Sequence, residues 1–159
     1  MSAETFSHLD RGGRAAMVDV SAKEVTRRVA EASCRVLLSA QTVERLENLP
    51  KGDAVTVARI AGVQAAKGTA TWIPLAHPLA LDQVEVEIEP AEGGVTIRSR
   101  VVATARTGAE MEALTACAAA ALALYDMVKS VERGAVITDL LLEAKSGGLR
   151  GDYRRGSGS

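Results

Sequence analysis

The sequence predicts a single α+β domain in which helices cover one antiparallel sheet. In the middle of the 159-residue chain, apolar and charged residues alternate with a period of two, as in a half-buried hairpin. Two other stretches, 54–67 and 107–134, are rich in helix-forming residues, with apolar positions three and four apart. Apolar residues make up 47% of the chain and aromatic residues only 3%, so we expect a core of Ala, Val, Leu and Ile.

Charge and composition argue against several classes of protein. A net charge of −1 does not favour binding to nucleic acid or to anionic membranes through bulk charge. We find no uninterrupted apolar run of the about 18–20 residues that span a membrane. The polar N-terminus lacks the apolar segment of a signal peptide. Cys34 and Cys117 make neither a disulfide framework nor a metal site, so we expect a cytoplasmic protein.

The first quarter of the chain predicts an arm, a strand and a short helix. Residues 1–20 are polar and lack periodicity, so we expect a loosely ordered arm or one that lies on a neighbour. The segment 29–38 is predicted to form a strand. Ser39 is expected to cap a short helix over 40–48.

A second helix is predicted over 54–67, because Asp53 is a suitable N-cap and Gly68 a suitable stop. We expect its inward face to consist of four apolar residues: Val57, Ile60, Ala61 and Ala65. The segment 72–79 that follows is apolar but contains two prolines, which indicates a rigid buried loop.

The hairpin is predicted over 84–89 and 95–101, with opposing Glu and Arg side chains on its exposed face. A long helix over 107–134 follows, and Thr107 with Glu110 matches the capping-box pattern. Its predicted apolar face consists of Met111, Leu114, Ala118, Ala121, Tyr125 and Val128.

The small side chains of 118–121 in that helix predict the close approach of another backbone. A strand over 135–144 and a loop over 145–148 complete the pattern. The order of strand, helices, two strands, helix and strand predicts a ferredoxin-like βαββαβ sandwich. We expect an N-terminal arm over 1–20, one domain over 21–149, and a flexible tail over 150–159. The apolar surface exceeds what one small domain buries, so we predict an oligomer.

The residues alone indicate an anion site but not a reaction. The chain has 14 Arg and only five Lys, which is explained either by chance or by lysines kept for acid–base chemistry. Asp126 and Lys129 are one turn apart and form either an ordinary surface salt bridge or an acid–base pair. The sequence contains no metal-ligand spacing, Walker motif, GxGxxG or catalytic-triad signature.

Six motifs together resemble a known family. MVDVSAKEVTRRVA, LPKGDAVTVARIAGVQAAKG, IPLAHPL, RTGAEMEALTA, LYDMVKS and EAKSGG occur in the order and at the distances found in cyclic pyranopterin monophosphate synthases of molybdenum cofactor biosynthesis. The resemblance covers roughly residues 8–151. It implies a ferredoxin-like subunit in a homohexamer, a trimer of dimers with active sites between subunits. It also implies a lyase that converts 3′,8-cyclo-7,8-dihydro-GTP to cyclic pyranopterin monophosphate with release of pyrophosphate.

The family's site residues carry over to matching positions of this chain. The resemblance implies catalytic roles for Asp126, Lys129 and Lys51. It implies substrate contacts for Leu75, Ala76, His77, Glu110, Met111, Glu112, Lys67, Lys145, Asp19, Lys23 and Arg28. All five lysines therefore fall on family positions. Cations suit a substrate that loses pyrophosphate, and a lysine can transfer protons. We expect no metal site and no required cofactor, although Mg²⁺ would suit the leaving pyrophosphate.

Three departures from the family pattern affect this prediction. Ala76 stands where the family has a loop cysteine, Leu149 stands where it has a lysine, and Trp72 replaces a polar residue. The alternative hypotheses are a catalytically weakened paralogue that serves as a nucleotide-binding hexameric scaffold, and a ferredoxin-like regulatory module that binds a metabolite. The resemblance further implies a functional link to the radical enzyme of the first pathway step.

Overall fold

The structure is a computed structural model that describes residues 10, 12–149 and 151–156. Its strands are β1 (Thr26–Leu37), β2 (Gln83–Ala91), β3 (Gly94–Ala105), β4 (Val136–Ser146) and β5 (Tyr153–Arg154). Its helices are α1 (Ala40–Val43), α2 (Ala54–Lys67) and α3 (Glu110–Val128), with 3₁₀ turns at Leu46–Asn48 and Thr69–Thr71. The predicted α+β class is therefore confirmed.

The five strands form one antiparallel sheet in the order β2-β3-β1-β4-β5. Along the central strand β1, buried and more exposed side chains alternate, as expected for a strand with one covered face. Its core-facing residues are Ala30, Ala32, Cys34 and Val36, all at most 1% exposed. They lie opposite core residues of β3, with Cys34 paired to Ile97 and Val36 to Val95. Helices α2 and α3 pack on this face, and the other face carries charged side chains.

The predicted hairpin is confirmed as β2 and β3. Glu85 lies opposite Arg100 and Glu87 opposite Arg98, so the expected charge pairing across the exposed face is present. The shortest ion pair there is diagonal, with Arg98 Nη1 2.8 Å from Glu89 Oε2. These exposed pairs contribute little to stability, and their main effect is to keep this face of the hairpin polar.

Helix α2 has the predicted ends but not the predicted buried face. Asp53 accepts from the backbone N–H of Thr56 at 3.0 Å, and Gly68 follows the last turn. The predicted inward face is wrong, since Val57 is 42% and Ile60 54% exposed, and Ala61 and Ala65 are only partly buried. The buried residues are the small ones four apart: Ala54, Ala58, Gly62 and Ala66.

The small residues of α2 are buried because α2 lies unusually close to α3. A Cβ added to Gly62 would stand 3.0 Å from the carbonyl oxygen of Ala116 and 3.4 Å from Cβ of Ala120. The predicted close approach therefore exists, but it is centred nearer the start of α3 than 118–121. The buried face of α3 differs accordingly, and Met111 of its predicted apolar face is 38% exposed. Of that predicted face, only Ala121 and Val128 are fully buried.

Helix α3 is also shorter than predicted. It begins at Glu110 after Ala109, which makes no side-chain cap, so the capping box of Thr107 and Glu110 is wrong. The Glu110 carboxylate instead accepts from Lys145. The helix ends at Val128 with Lys129 as its C-cap, well before Gly134.

Smaller differences concern the chain ends and the predicted short helix. Ser39 does cap α1, accepting from the N–H of Thr42 at 3.3 Å, but 40–48 divides into α1 and a 3₁₀ turn. Strand β4 extends through Lys145, and β5 lies within the segment predicted as a flexible tail. Of the arm, residues 1–9 and 11 lie outside the described residues, and 12–20 follow an irregular path.

By length and composition alone, α3 is the one helix in the described residues that would be able to cross a membrane. However, 56% of its most apolar window is buried within the domain, where it packs on β1, β3, β4 and α2. This burial is typical of a core helix.

We predict that Gly62→Val lowers the free energy of unfolding by about 1–3 kcal/mol, because the added methyl groups force α2 away from α3. Chemical denaturation followed by circular dichroism measures the change. Gly134→Val is the control, since an added Cβ there meets no atom within 4 Å. Equal stability of the two variants would contradict the close helix packing.

Candidate active site

Three residues of the predicted site meet at the C-terminal end of α3, and we call them the lysine–aspartate cluster: Lys51, Asp126 and Lys129. Nζ of Lys129 lies 2.6 Å from Oδ1 of Asp126. Nζ of Lys51 lies 3.1 Å from Oδ2 of Asp126 and donates to the Asp126 backbone carbonyl at 2.8 Å. Residues 75 positions apart in sequence therefore share one carboxylate.

The electrostatics of the cluster favour an anionic ligand. The ammonium groups of Lys129 and Lys51 hold the pKa of Asp126 below its usual range, so the carboxylate stays ionised at neutral pH. Two cations face one anion, which leaves a net positive charge. The three side chains are 39–56% exposed in the single chain, so a ligand can reach them.

A tight turn and a long-range pair of hydrogen bonds order the chain around Lys51. The backbones of Leu49 and Gly52 pair in a tight turn around it. Ser39, upstream of Lys51, donates its hydroxyl to Glu132 at 2.9 Å and its N–H at 3.0 Å. These bonds tie the start of α1 to the segment after Lys129. Sequence reasoning missed Glu132. Its partner lies 93 residues away, so no local pattern marks it.

A second group of predicted residues lies at the other end of α3, and we call it the α3 N-terminal cluster: Glu110, Lys145 and Arg28. Nζ of Lys145 lies 2.9 Å from Oε1 of Glu110. The guanidinium of Arg28 donates to the carbonyl oxygens of Gly147 at 3.2 Å and Arg106 at 3.3 Å. Its Nε atom is buried without a partner among the described residues. The cluster thus gathers charged groups at a helix N-terminus.

Glu112 lies one turn into α3 and is only 3% exposed. Burial, with a smaller contribution from the charge of Glu110, raises its pKa to about 7. A carboxyl group with this pKa exchanges a proton near neutral pH, which suits an acid or base in catalysis.

His77 lies in the loop between α2 and β2, against the N-terminal arm. Its Nε2 atom is 2.7 Å from the carbonyl oxygen of Val18. Ala76 beside it is partly buried and donates its N–H to Ile73 at 3.1 Å. In the arm, Asp19 accepts from the N–H of Ser21 at 2.9 Å, and this hydrogen bonding lowers the pKa of Asp19.

The other predicted residues take less defined positions. The backbone carbonyl of Lys23 accepts from Nε of Arg106 at 3.1 Å, and the carbonyl of Arg106 in turn accepts from Arg28. Arg106 was not among the predicted site residues. Lys67 lies exposed in the last turn of α2, Leu75 is partly buried in the loop, and Met111 is exposed on α3.

The structure of one chain therefore divides the predicted site. Glu110 and Asp126 are 16 positions apart on one helix, which corresponds to about 24 Å at 1.5 Å per residue. A ligand pocket of about 300–1,000 Å³ is roughly 10 Å across. No pocket of that size contacts both clusters of the same chain.

Comparison with known proteins shows which family this chain belongs to. The model of the MoaC family matches residues 17–148. This chain belongs to the MoaC family. The matched range includes every residue predicted for the site, from Asp19 to Lys145, and excludes Leu149.

Similar proteins carry a consistent name. A Streptomyces griseus protein named cyclic pyranopterin monophosphate synthase is 57% identical over 152 residues, which cover 94% of this chain and 86% of that protein. A Nocardioides protein of the same name is 52% identical over 159 residues, covering 97% and 98%. One from Parvibaculum lavamentivorans is 48% identical over 158 residues, covering 97% and 99%.

Neither cysteine of this MoaC chain can replace a thiol in the loop at Ala76. Cys34 and Cys117 are buried in the core, at most 1% exposed. The thiol of Cys117 lies 3.3 Å from the Ser99 hydroxyl, and that of Cys34 lies 3.6 Å from the Cys117 carbonyl oxygen. Both therefore serve packing between β1, β3 and α3. Leu149 and Trp72, the other departures, are 94% and 48% exposed.

Metal and cavity geometry add two observations. Within the described residues, no three His, Cys, Asp or Glu side chains converge as a metal site would require. Cavities of about 260 and 300 Å³ lie beside β4–β5 and between α1 and the β2–β3 hairpin. The first is lined by Lys145, and neither of the two includes the lysine–aspartate cluster.

We predict that the contribution of Glu112 to stability falls as pH rises from about 4.5 to about 7, and that Glu112→Gln removes this fall. The folded state keeps a proton on Glu112 that the unfolded state releases, so this residue makes a negative contribution to the slope of stability against pH in this window. At pH 8 the variant should be more stable by about 1–3 kcal/mol.

Urea denaturation of both proteins between pH 5 and pH 8 measures this. Glu89→Gln, which changes an exposed carboxylate on the outer sheet face, is the control. Parallel pH profiles for the wild type and Glu112→Gln would contradict the raised pKa.

Proposed function

We propose that this chain is a lyase that converts 3′,8-cyclo-7,8-dihydro-GTP to cyclic pyranopterin monophosphate with release of pyrophosphate, in molybdenum cofactor biosynthesis. The observation that supports this most strongly is the sharing of the Asp126 carboxylate by Lys51 and Lys129. Relatives with the corresponding name are 48–57% identical over nearly the whole chain.

The net positive charge of the lysine–aspartate cluster suits the departure of pyrophosphate. As the leaving oxygens gain negative charge, fixed ammonium groups stabilise them more than they stabilise the bound substrate. Lys51 and Lys129 fill this role, and either can donate a proton. Asp126 keeps both ammonium groups in position and remains ionised. Lys67, in the last turn of α2, provides a further cation for the substrate.

The α3 N-terminal cluster suits the ring chemistry. Opening a purine-derived ring and closing a pterin requires several proton transfers, and Glu112, with a pKa of about 7, exchanges protons at neutral pH. Arg28, Lys145, Glu110 and His77 would orient the substrate there. Contacts for the ring system and the phosphates then come from different ends of α3.

We propose that the two clusters form one site between copies of the chain. The separation of about 24 Å along α3 supports this, because one ligand would span it only if the clusters came from different subunits. The strand order β2-β3-β1-β4 and the two helices on one face support a ferredoxin-like βαββαβ topology. The assembly we propose is a homohexamer, a trimer of dimers.

The remaining proposals concern cofactors and location. We propose that the reaction requires no cofactor, and that Mg²⁺ acts, if at all, by binding the departing pyrophosphate. A cytoplasmic location and a functional link to the radical enzyme that supplies the unstable substrate follow from the same role. The scaffold alternative is not favoured. A scaffold without turnover would not need the lysine–aspartate cluster, yet all three residues of the cluster are present.

We predict that Lys51→Ala and Asp126→Asn each reduce turnover at least about 100-fold, because each removes a charge from the lysine–aspartate cluster. The melting temperature should change little, since these side chains are exposed. Pyrophosphate and pterin formation from purified 3′,8-cyclo-7,8-dihydro-GTP measures the effect.

Arg98→Ala is the control, since this residue forms an exposed ion pair on the outer sheet face. Tight binding of the substrate by the wild type without any product would support the scaffold alternative and contradict the proposed lyase.

We predict that two inactive variants restore activity when their subunits are mixed. Lys129→Ala removes a group at the C-terminal end of α3, and Lys145→Ala removes one at the other end. If the site forms between copies, some mixed interfaces contain both intact clusters, which gives roughly a quarter of wild-type activity for random dimers. The variants are unfolded together, refolded and assayed.

Mixing Lys129→Ala with Asp126→Asn is the control, because both changes fall in the same cluster and every site stays damaged. If both mixtures form hexamers but activity is restored in neither of them, a site between copies is contradicted.

A further inference from the structure

One nitrogen of the His77 ring is fixed by a backbone carbonyl. Nε2 of His77 lies 2.7 Å from the carbonyl oxygen of Val18, in the irregular arm that precedes β1. A carbonyl oxygen only accepts hydrogen bonds, so Nε2 must carry the hydrogen. The contact thus selects one of the two neutral tautomers of the imidazole.

We infer that the arm holds His77 as the Nε2–H tautomer, which makes Nδ1 the nitrogen that meets the substrate. Among the described residues, no hydrogen bond occupies Nδ1, so this is the nitrogen left for the substrate. The identity of the substrate rests on the proposed function, whereas the tautomer does not.

Both sides of this contact are restrained. The ring stands on a loop whose prolines, Pro74 and Pro78, limit backbone motion, and the N–H of Ala76 donates to Ile73 at 3.1 Å. The arm is tied at a second point, where Nε of Arg106 donates to the carbonyl of Lys23 at 3.1 Å. The arm is therefore held at Val18 by the His77 loop and at Lys23 by Arg106.

The tautomer defines what His77 does in the reaction. With Nδ1 unprotonated, the ring accepts a hydrogen bond from the substrate or takes a proton from it. In the second case, a substrate N–H or O–H bond breaks, its electron pair stays on the substrate, and an Nδ1–H bond forms. The resulting imidazolium still donates from Nε2 to the Val18 carbonyl, so the arm contact is kept through the step. Val18 is accordingly a positioning residue that acts through its carbonyl group.

Nitrogen-15 NMR of the full chain tests the tautomer directly. The chain has two histidines, and His8→Gln leaves His77 as the only one. With the ring neutral, the inference predicts a protonated-type shift for Nε2 and an unprotonated-type shift for Nδ1. The reverse assignment, or two averaged shifts, would overturn it. This measurement needs no substrate.

A matched pair of variants separates the two nitrogens. The side-chain amide of His77→Gln extends to the position of Nε2 and can still donate to Val18, whereas that of His77→Asn ends near Nδ1. Tryptic cleavage after Lys23 should be unchanged in His77→Gln and at least about fivefold faster in His77→Asn, because only the second frees the arm. Turnover should fall at least about tenfold in His77→Gln, which lacks a group at Nδ1.

Faster cleavage in His77→Gln, or equal cleavage in both variants, would overturn the inference. If the wild type proved inactive on the cyclised GTP derivative, the proposed function would fail. The NMR and cleavage results would still decide the tautomer.

Discussion

The close approach of α2 and α3 is the constraint on which the rest of the structure depends. It exists because Gly62 faces the backbone of Ala116 with almost no side chain between them. The N-terminus of α2 follows the Lys51 turn, and the C-terminus of α3 carries Asp126 and Lys129. Packing the helices tightly therefore brings the lysines of two distant segments onto one carboxylate. A wider helix spacing would separate Lys51 from Asp126.

The same helix geometry places the two clusters of predicted site residues at opposite ends of α3. Helix α3 carries charged groups at both ends and small residues along its buried middle. Its length keeps Glu110 away from Asp126, so the rigid helix that orders each cluster also separates them. The site between copies that we propose would bring the two ends of α3 from different subunits together. The exposed apolar residues on the outer side of α2, such as Ile60, are consistent with further contacts.

Local signals in the sequence predicted the elements well. Asp53 and Gly68 mark the ends of α2, Ser39 caps α1, and the alternating hairpin appears as β2 and β3. These predictions succeed because the groups that determine them lie within a few residues of each other. The division of the chain into arm, domain and tail stays a prediction.

The failures involve partners that are distant in sequence. The apolar spacing in α2 predicts an inward face that includes Val57 and Ile60, but the close approach of α3 buries a face made only of Ala and Gly. Glu110 does not cap its helix because Lys145, 35 residues away, takes its carboxylate. Spacing alone leaves Asp126 and Lys129 as either an ordinary ion pair or an acid–base pair. The resemblance of six motifs predicts a site that contains both residues and Lys51, and the contact of Lys51 with Asp126 appears only in the folded chain.

The measurement that tests the account most directly is a crystal structure of the Lys51→Ala variant with 3′,8-cyclo-7,8-dihydro-GTP bound. The account predicts phosphates beside Asp126 and Lys129 of one subunit, and the ring system beside Glu112 and His77 of another. A substrate held entirely by one chain would contradict it, as would one bound away from both ends of α3.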